Sequence, residues 1–198
     1  MSMQYAIYVL QSKLQTFRGY LMNICLYGSG SRKIDEEYTN EAYKLGCEMA
    51  RRNHTLIFGG GDTGMMGACA HGVQDHGGKS IGIAPEWIGE FEPLCQDCNK
   101  FIHVDSMDER KNEFLKNSDA FIVSPGGIGT LDEFFEIITL KKLKKHDKAI
   151  VVFNMNQFYD KMLEMIDEMG EKGFLYKQTE IYKVATTIEE ALDYIENY

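Results

Sequence analysis

Three short apolar runs in this chain end directly in glycine, and a segment with helical spacing comes after each one. Residues 24–27 run into Gly28-Ser29-Gly30-Ser31, and residues 55–58 into Gly59-Gly60-Gly61-Asp62-Thr63-Gly64. Residues 120–123 run into Ser124-Pro125-Gly126-Gly127-Ile128-Gly129-Thr130. Strands this short that must turn at once into a helix leave few architectures open. Further strand-length runs at 80–84 and 149–153 extend the alternation, as do helical segments at 35–52, 64–75, 107–117, 130–143 and 157–169. A weaker strand at 181–184 and a helix at 188–196 close it. Alternation of this kind requires right-handed crossovers between parallel strands. Near-continuous apolar runs such as Ala-Phe-Ile-Val at 120–123 fit a sheet covered on both faces. The expected fold is therefore α/β, a Rossmann-like, doubly wound, mainly parallel sheet with helices on both faces. The stretch 85–100 matches neither pattern and reads as a long loop.

Residues 1–21 fit poorly with the rest of the chain, and Met22 stands immediately before the first clean strand. The expected organisation is a peripheral extension over 1–21 and one domain over 22–198. A chain of 198 residues can bury about 70% of its unfolded surface without help from metals or disulfides. Its 21 Lys+Arg and 30 Asp+Glu give a net charge of −9, which repels a phosphate backbone and argues against a nucleic-acid partner. No apolar run approaches the 18 to 20 residues of a membrane span, so no membrane partner is expected. The cysteines Cys25, Cys47, Cys69, Cys95 and Cys98 form an odd set scattered through regular segments. They read as thiols in a reducing cytoplasm. Cys95-x-x-Cys98 with His103 supplies three zinc-type donors and no evident fourth, so reduced loop thiols and no metal are expected.

Backbone N–H groups at a helix start, together with the local dipole, attract an anion, and glycine lets that anion approach the main chain. The middle turn, Gly59-x-Gly61-x-x-Gly64, also matches a dinucleotide fingerprint, with Glu86 about 20 residues further on. A nicotinamide-dependent oxidoreductase is thus one alternative. Against it, the fingerprint normally sits on the first strand of its unit, here it comes after the second, and the third turn is left unexplained. In that third turn Thr130-x-x-Glu133 has the spacing of a capping box, as does Ser106-x-x-Glu109. Read only as a cap, Glu133 contributes on the order of 1 kcal/mol. A simple cap does not need Gly126, Gly127 and Gly129, which favours a phosphate on these amides and a carboxylate free to reach beyond it. Arg110 and Lys111 sit near the start of a helix, where cations oppose the dipole by about 0.3–1 kcal/mol. Pairing with Asp108 and Glu109 is one explanation of their placement, and a bound phosphate is the other.

These residues resemble a known family. The run from Ser124 to Glu133 is similar to the PGGxGTxxE signature of the LOG (LONELY GUY) family of cytokinin riboside 5′-monophosphate phosphoribohydrolases. Met107-Asp-Glu-Arg110-Lys111 resembles its MxxRK element, and the run from Gly59 to Gly67 resembles its GGGxxGLMG turn. The resemblance covers the chain from about Met22 onward. It implies a Rossmann-like fold, a homodimer with active sites near the interface, and no cofactor. The implied reaction is hydrolysis of the N-glycosidic bond of a nucleoside 5′-monophosphate to free base and ribose 5-phosphate. By motif position, Glu133 and Arg110 would be catalytic. Lys111, Gly126, Gly127, Ile128, Gly129, Thr130, Asp132 and Thr139 would bind substrate, with Gly28, Ser29, Gly60 and Gly61 from the other glycine turns. Asp132 stands where many members carry glutamate, and Leu140 where a tryptophan is common. The wider superfamily includes molybdenum-cofactor carriers, so a non-catalytic carrier of a phosphorylated cofactor is the second alternative. Members have often been labelled lysine decarboxylases, but nothing in the sequence suggests a pyridoxal-phosphate site.

Overall fold

In the computed structural model, residues 21–175 and 181–198 are described. The extension expected over 1–21 therefore lies outside the described residues, apart from Leu21. Seven strands form one sheet: β1 (Asn23–Tyr27), β2 (Thr55–Phe58), β3 (Lys79–Pro85), β4 (Lys100–Val104), β5 (Ala120–Val123), β6 (Ala149–Phe153) and β7 (Lys183–Ala185). The helices are α1 (Glu36–Arg51), α2 (Gly64–Asp75), α3 (Met107–Asn117), α4 (Ile128–Lys142), α5 (Asp160–Glu171) and α6 (Ile188–Glu196). Strand order is β4-β3-β2-β1-β5-β6-β7, and every neighbouring pair is parallel.

Successive side chains of a strand point to opposite faces, so each central strand feeds two cores. Ile24 and Leu26 of β1 join one core with Leu45 of α1, Met65 of α2 and Leu192 of α6. Cys25 and Tyr27 join the other with Phe114 of α3, Phe134 of α4 and Ile166 of α5. The doubly wound expectation holds.

Several boundaries differ from the sequence reading. The stretch expected to be a loop runs at Lys100 into β4, an edge strand with no fully buried residue, whose pattern is too short and too polar at Lys100 and His103 to stand out. A short 3₁₀ turn (Glu86–Glu90) precedes it. The last strand starts at Lys183 rather than 181. Helix α5 starts at Asp160 rather than 157, because Asn156 and Gln157 hold positive φ angles (52° and 59°) that a helix excludes. Helix α4 starts at Ile128, two residues before the expected position.

The chain runs outward from β1 through β2 and β3 to β4, then crosses back to place β5 on the other side of β1. The carboxyl ends of β1 and β5 thus flank the topological switch point, where open α/β sheets bind their ligands. The glycine turns succeed β1, β2 and β5, which are neighbours in the sheet, so all three meet at this end.

Candidate active site

Backbone hydrogen bonds lock the three turns together. The Ser29 N–H donates to Pro125 O (3.1 Å), which joins the first turn to the third. The Met65 N–H donates to Ser29 O (2.7 Å), and Thr63 Oγ1 donates to Gly30 O (2.6 Å), which joins the first to the second. Ser124 Oγ donates to Tyr27 O (2.9 Å), while the Tyr159 hydroxyl donates to Ser124 O (2.8 Å). A Cβ on Gly28 would lie 2.3 Å from Ser124 Oγ, so this contact requires glycine.

Helix α4 opens without a cap. Its N-cap residue is Gly127, no side chain accepts there, and no acid occupies its first turn. By contrast α3 and α6 are capped by Ser106 and Thr187, whose hydroxyls accept from Glu109 N and Glu190 N. Ser106 thus caps α3 as expected, with the Glu109 carboxylate accepting from the Asp105 N–H (2.8 Å) one residue before the cap, whereas the reading fails at Thr130, which lies buried inside the helix with Gly126 packed against it. The first amides of α4 have no intrahelical acceptor. Gly127, Ile128 and Gly129 are exposed, and a Cβ on either glycine would meet open space. A cavity of about 390 Å³ adjoins this helix start, lined by Ser29, Lys33, Tyr38, Gly126, Gly127 and Phe158. An uncapped, uncompensated helix N-terminus beside an open cavity suits a phosphate.

Arg110 is buried on the α3 side of the turns. Its Nε donates to Ile83 O (3.0 Å), its Nη2 donates to Gly59 O (2.9 Å), and the guanidinium lies 5.3 Å from the Phe114 ring centre. These bonds fix the group so that Nη1 faces Glu133 Oε1 at 4.0 Å. A Cβ on Gly59 would fall 2.1 Å from Arg110 Nη2, so the middle turn is glycine here to admit the arginine.

The rest of the middle turn does not offer itself to a ligand. The Cys95 N–H donates to Gly60 O (2.8 Å), Gly61 bridges to Leu94, and the Gly60 α-carbon faces the Phe101 ring. Gly60 and Gly61, expected to bind substrate, are instead buried beneath the chain's own segment. The same cover removes the room a dinucleotide pyrophosphate would need, and Glu86 is exposed in its 3₁₀ turn.

Glu133 lies one turn after Thr130 and keeps only 12% of its side chain exposed. Burial pushes its carboxyl up to about 7; Arg110 opposes the shift, Asp132 adds to it, Lys111 opposes it and Glu136 adds to it. Such a carboxylate exchanges a proton near neutrality, as a general base must. Lys111 Nζ donates to Asp132 Oδ2 (3.2 Å) and pairs with Glu136, so it fastens α3 to α4 at the rim of the site. Thr139 does not join the group: it is exposed on α4, about 13 Å along the helix axis from Thr130.

The sequence pattern does not point to Glu92, yet its carboxylate packs against two of the glycine turns. A Cβ on Gly30 would lie 2.5 Å from its Oε2 and one on Gly61 3.3 Å. Burial raises its carboxyl above the ordinary range and Arg110 opposes that shift, so it titrates in the same electrostatic field as Glu133. The one local signal is a glutamate set between Phe91 and Pro93, which no motif marks. Among the described residues Cys95, Cys98 and His103 do not come together as a metal-binding group.

A family described as "Possible lysine decarboxylase" matches residues 66–195, which include Arg110, the third glycine turn and Glu133. The cytokinin riboside 5′-monophosphate phosphoribohydrolase LOG3 of Arabidopsis thaliana is 37% identical over 176 residues, covering 88% of this chain and 82% of that protein. The chain belongs to the LOG family. The rice enzyme of the same description (Oryza sativa subsp. japonica) is 35% identical over 182 residues, covering 91% of this chain and 75% of that protein. The family's three motifs are the pieces that meet at the switch point: the third glycine turn with Glu133, the Arg110-Lys111 pair, and the Gly59 turn that seats the arginine.

Among solved structures, the molybdenum cofactor binding protein of Rippkaea orientalis superposes with a TM-score of 0.68 at 20% identity, covering 89% of this chain and 96% of that one. The Moco carrier protein of Chlamydomonas reinhardtii gives 0.67 at 20% identity, with the same coverage. At that identity the likeness establishes the Rossmann-like fold and nothing of the ligand.

Proposed function

We propose that this chain hydrolyses the N-glycosidic bond of a nucleoside 5′-monophosphate, of the cytokinin riboside type or AMP-like, to free base and ribose 5-phosphate. The observation that carries the reading is the pairing of a carboxyl tuned to about 7, Glu133, with an uncapped helix start one turn away. The names of the curated relatives support the same chemistry.

The amides of residues 128–130, with Gly126 and Gly127, hold the 5′-phosphate against the end of α4. Binding energy from this remote group positions the sugar. Cleavage develops positive charge on the ribose, which the Glu133 carboxylate stabilises at C1′. Glu133 then takes a proton from water as the water oxygen bonds to C1′ and the carbon–nitrogen bond breaks, and the base leaves with its bonding pair and acquires a proton. Arg110, already committed to two carbonyls, keeps Glu133 partly ionised and adds positive potential beside the phosphate. Glu92 supplies a second acid within the same field.

We further infer a homodimer and a cytoplasmic setting. Helix α4 leaves Leu131, Phe135 and Ile138 only half-buried at the margin of the second core, Ile128 at its start is 89% exposed, and Leu143 beyond it is 60% exposed. A second copy of the chain would cover that surface, and light scattering in solution would return twice the chain mass. All five cysteines are free, as expected in a reducing compartment.

Incubation with a panel of nucleoside 5′-monophosphates, including N6-isopentenyl-AMP, tests the reaction by detection of free base and ribose 5-phosphate together. Nucleotide that binds and is recovered intact would overturn the hydrolase reading in favour of a carrier.

A further inference from the structure

Glu133 faces Arg110 at 4.0 Å, whereas the Glu92 carboxylate makes no hydrogen bond or ion pair among the described residues. Its position is nevertheless fixed. A Cβ on Gly30 would lie 2.5 Å from Glu92 Oε2, so glycine in the first turn seats this carboxylate as Gly59 seats the arginine. The next residue is tied to the middle turn, where the Asp62 N–H donates to Pro93 O (2.8 Å). A half-buried acceptor with no protein donor is open to a donor from a ligand.

Glu92 lines a cavity of about 780 Å³ between residues 30–33 and 89–93, with Gly30, Arg32 and Lys33 on one wall and Phe91 beside Glu92 on the other. Lys33 also lines the cavity at the start of α4, so a molecule anchored on the α4 amides can extend past it into this second space. Phe91 is 79% exposed and is met edge-on by Trp87 at 6.3 Å, which leaves its ring available to a flat partner. An open aromatic ring next to an unanswered carboxylate presents the two features a nucleobase matches, a planar face to stack and an N–H edge to donate.

On the basis of the nucleotide reading above, we propose that Glu92 is the specificity-determining residue for the base, its carboxylate accepting from an exocyclic amine while Phe91 stacks on the ring. The parts of the nucleotide then divide among three groups of the protein. The phosphate lies on the α4 amides, C1′ at Glu133, and the base in the cavity at Glu92. Arg110 stands between the two carboxyls, since its field acts on both.

The selectivity comes from the chemistry of an ionised carboxylate, which has lone pairs and no proton. It accepts from the amine of adenine or cytosine and repels the keto oxygen that hypoxanthine or uracil carries at the same ring position. Burial disfavours the Glu92 charge and the field of Arg110 offsets this only in part. The amine of a bound base supplies the missing compensation, and a keto oxygen adds to the cost.

AMP and IMP differ at this edge and share their phosphate and ribose, so they make the test pair. The wild-type chain should favour AMP by roughly 10–100-fold in kcat/KM, the span expected of one hydrogen bond to a charged group. An amide both donates and accepts, so in Glu92→Gln the ratio should fall toward one. Gly30→Ala keeps the carboxylate but displaces it, and should lower the ratio as well. Phe91→Ala should raise KM for both nucleotides and leave the ratio unchanged. A wild-type ratio near one overturns the assignment and leaves hydrolysis standing. So does a Glu92→Gln variant whose turnover falls equally on AMP and IMP, as loss of a purely structural or proton-transferring carboxyl would produce. Release of no base from any nucleotide overturns the hydrolase reading instead. Calorimetric binding of AMP and IMP to the wild-type and Glu92→Gln chains then decides the base assignment by the same ratio.

Discussion

Replacing Glu133 with glutamine should make the protein more stable and inactive at the same time. The carboxyl is raised from 4.5 to about 7, with burial as the leading cause. At ~1.36 kcal/mol for each pH unit, the gap between those values corresponds to roughly 3 kcal/mol of native-state preference for the protonated form. The direction comes from linkage. The unfolded chain releases this proton near 4.5, the native chain holds it to about 7, and the stability it contributes is complete below 4.5 and lost as pH rises through 7. Above neutrality the native protein therefore carries a buried charge, and a neutral amide at the same position avoids its cost.

Urea unfolding of both proteins from pH 5 to pH 8.5 measures this. The variant's advantage should be small at the acid end and grow to about 3 kcal/mol at the alkaline end. A thermal melt should show the same trend, at ~2–4 °C in Tm for each kcal/mol. Release of base from the nucleotide should be abolished throughout, while nucleotide binding is largely retained. A stability difference that stays flat across the range would refute the burial argument. Unchanged turnover would remove Glu133 from the chemistry.

Gly59→Ala would place a methyl group 2.1 Å from Arg110 Nη2 and displace the guanidinium. It should lower kcat/KM by roughly 10²-fold with the circular dichroism spectrum intact. Gly127→Ala meets open space in the free protein, so it should fold normally and raise KM for the nucleotide. Gly126→Ala, whose Cβ would lie 2.2 Å from Thr130 Oγ1, should instead cost about 1–3 kcal/mol in denaturant unfolding. Thr187→Ala removes the cap of α6 and should lower stability by about 1 kcal/mol while turnover is unchanged.

What the sequence makes visible is what local chemistry encodes. A strand that ends in glycine and restarts as a helix writes its geometry within ten residues, so the central strands, their turns and the exposed amides of α4 can be read directly. Edge strand β4 cannot, because only one flank is paired and its polar residues break the pattern a buried strand shows. Thr130 misleads for a related reason. The capping-box spacing is present, but Gly127 already starts the helix, and the threonine side chain is used in packing. The fate of the middle turn and the place of Glu92 depend on residues 93–101 folding back over Gly60 and Gly61, which no local pattern announces.

Arg110 has its partners far from it in the sequence. From sequence, a cation in the first turn of α3 opposes the helix dipole, and a phosphate is one way to justify it. The fold supplies another. Arg110 reaches 51 residues back to Gly59 O and 27 back to Ile83 O, donating to both backbone carbonyls, and sets its guanidinium 5.3 Å from the Phe114 ring centre. Lys111 is likewise answered by Asp132 and Glu136. With both cations accounted for inside the protein, the anion is left to the uncapped start of α4. Arg110 then acts chiefly on Glu133, which faces the one part of the guanidinium not held by the backbone. Its removal should consequently shift the pH at which turnover rises to a higher value, since the group that holds the Glu133 carboxyl down would be gone. Arg110→Met with an unshifted pH profile and a large rise in KM alone would return the arginine to the phosphate.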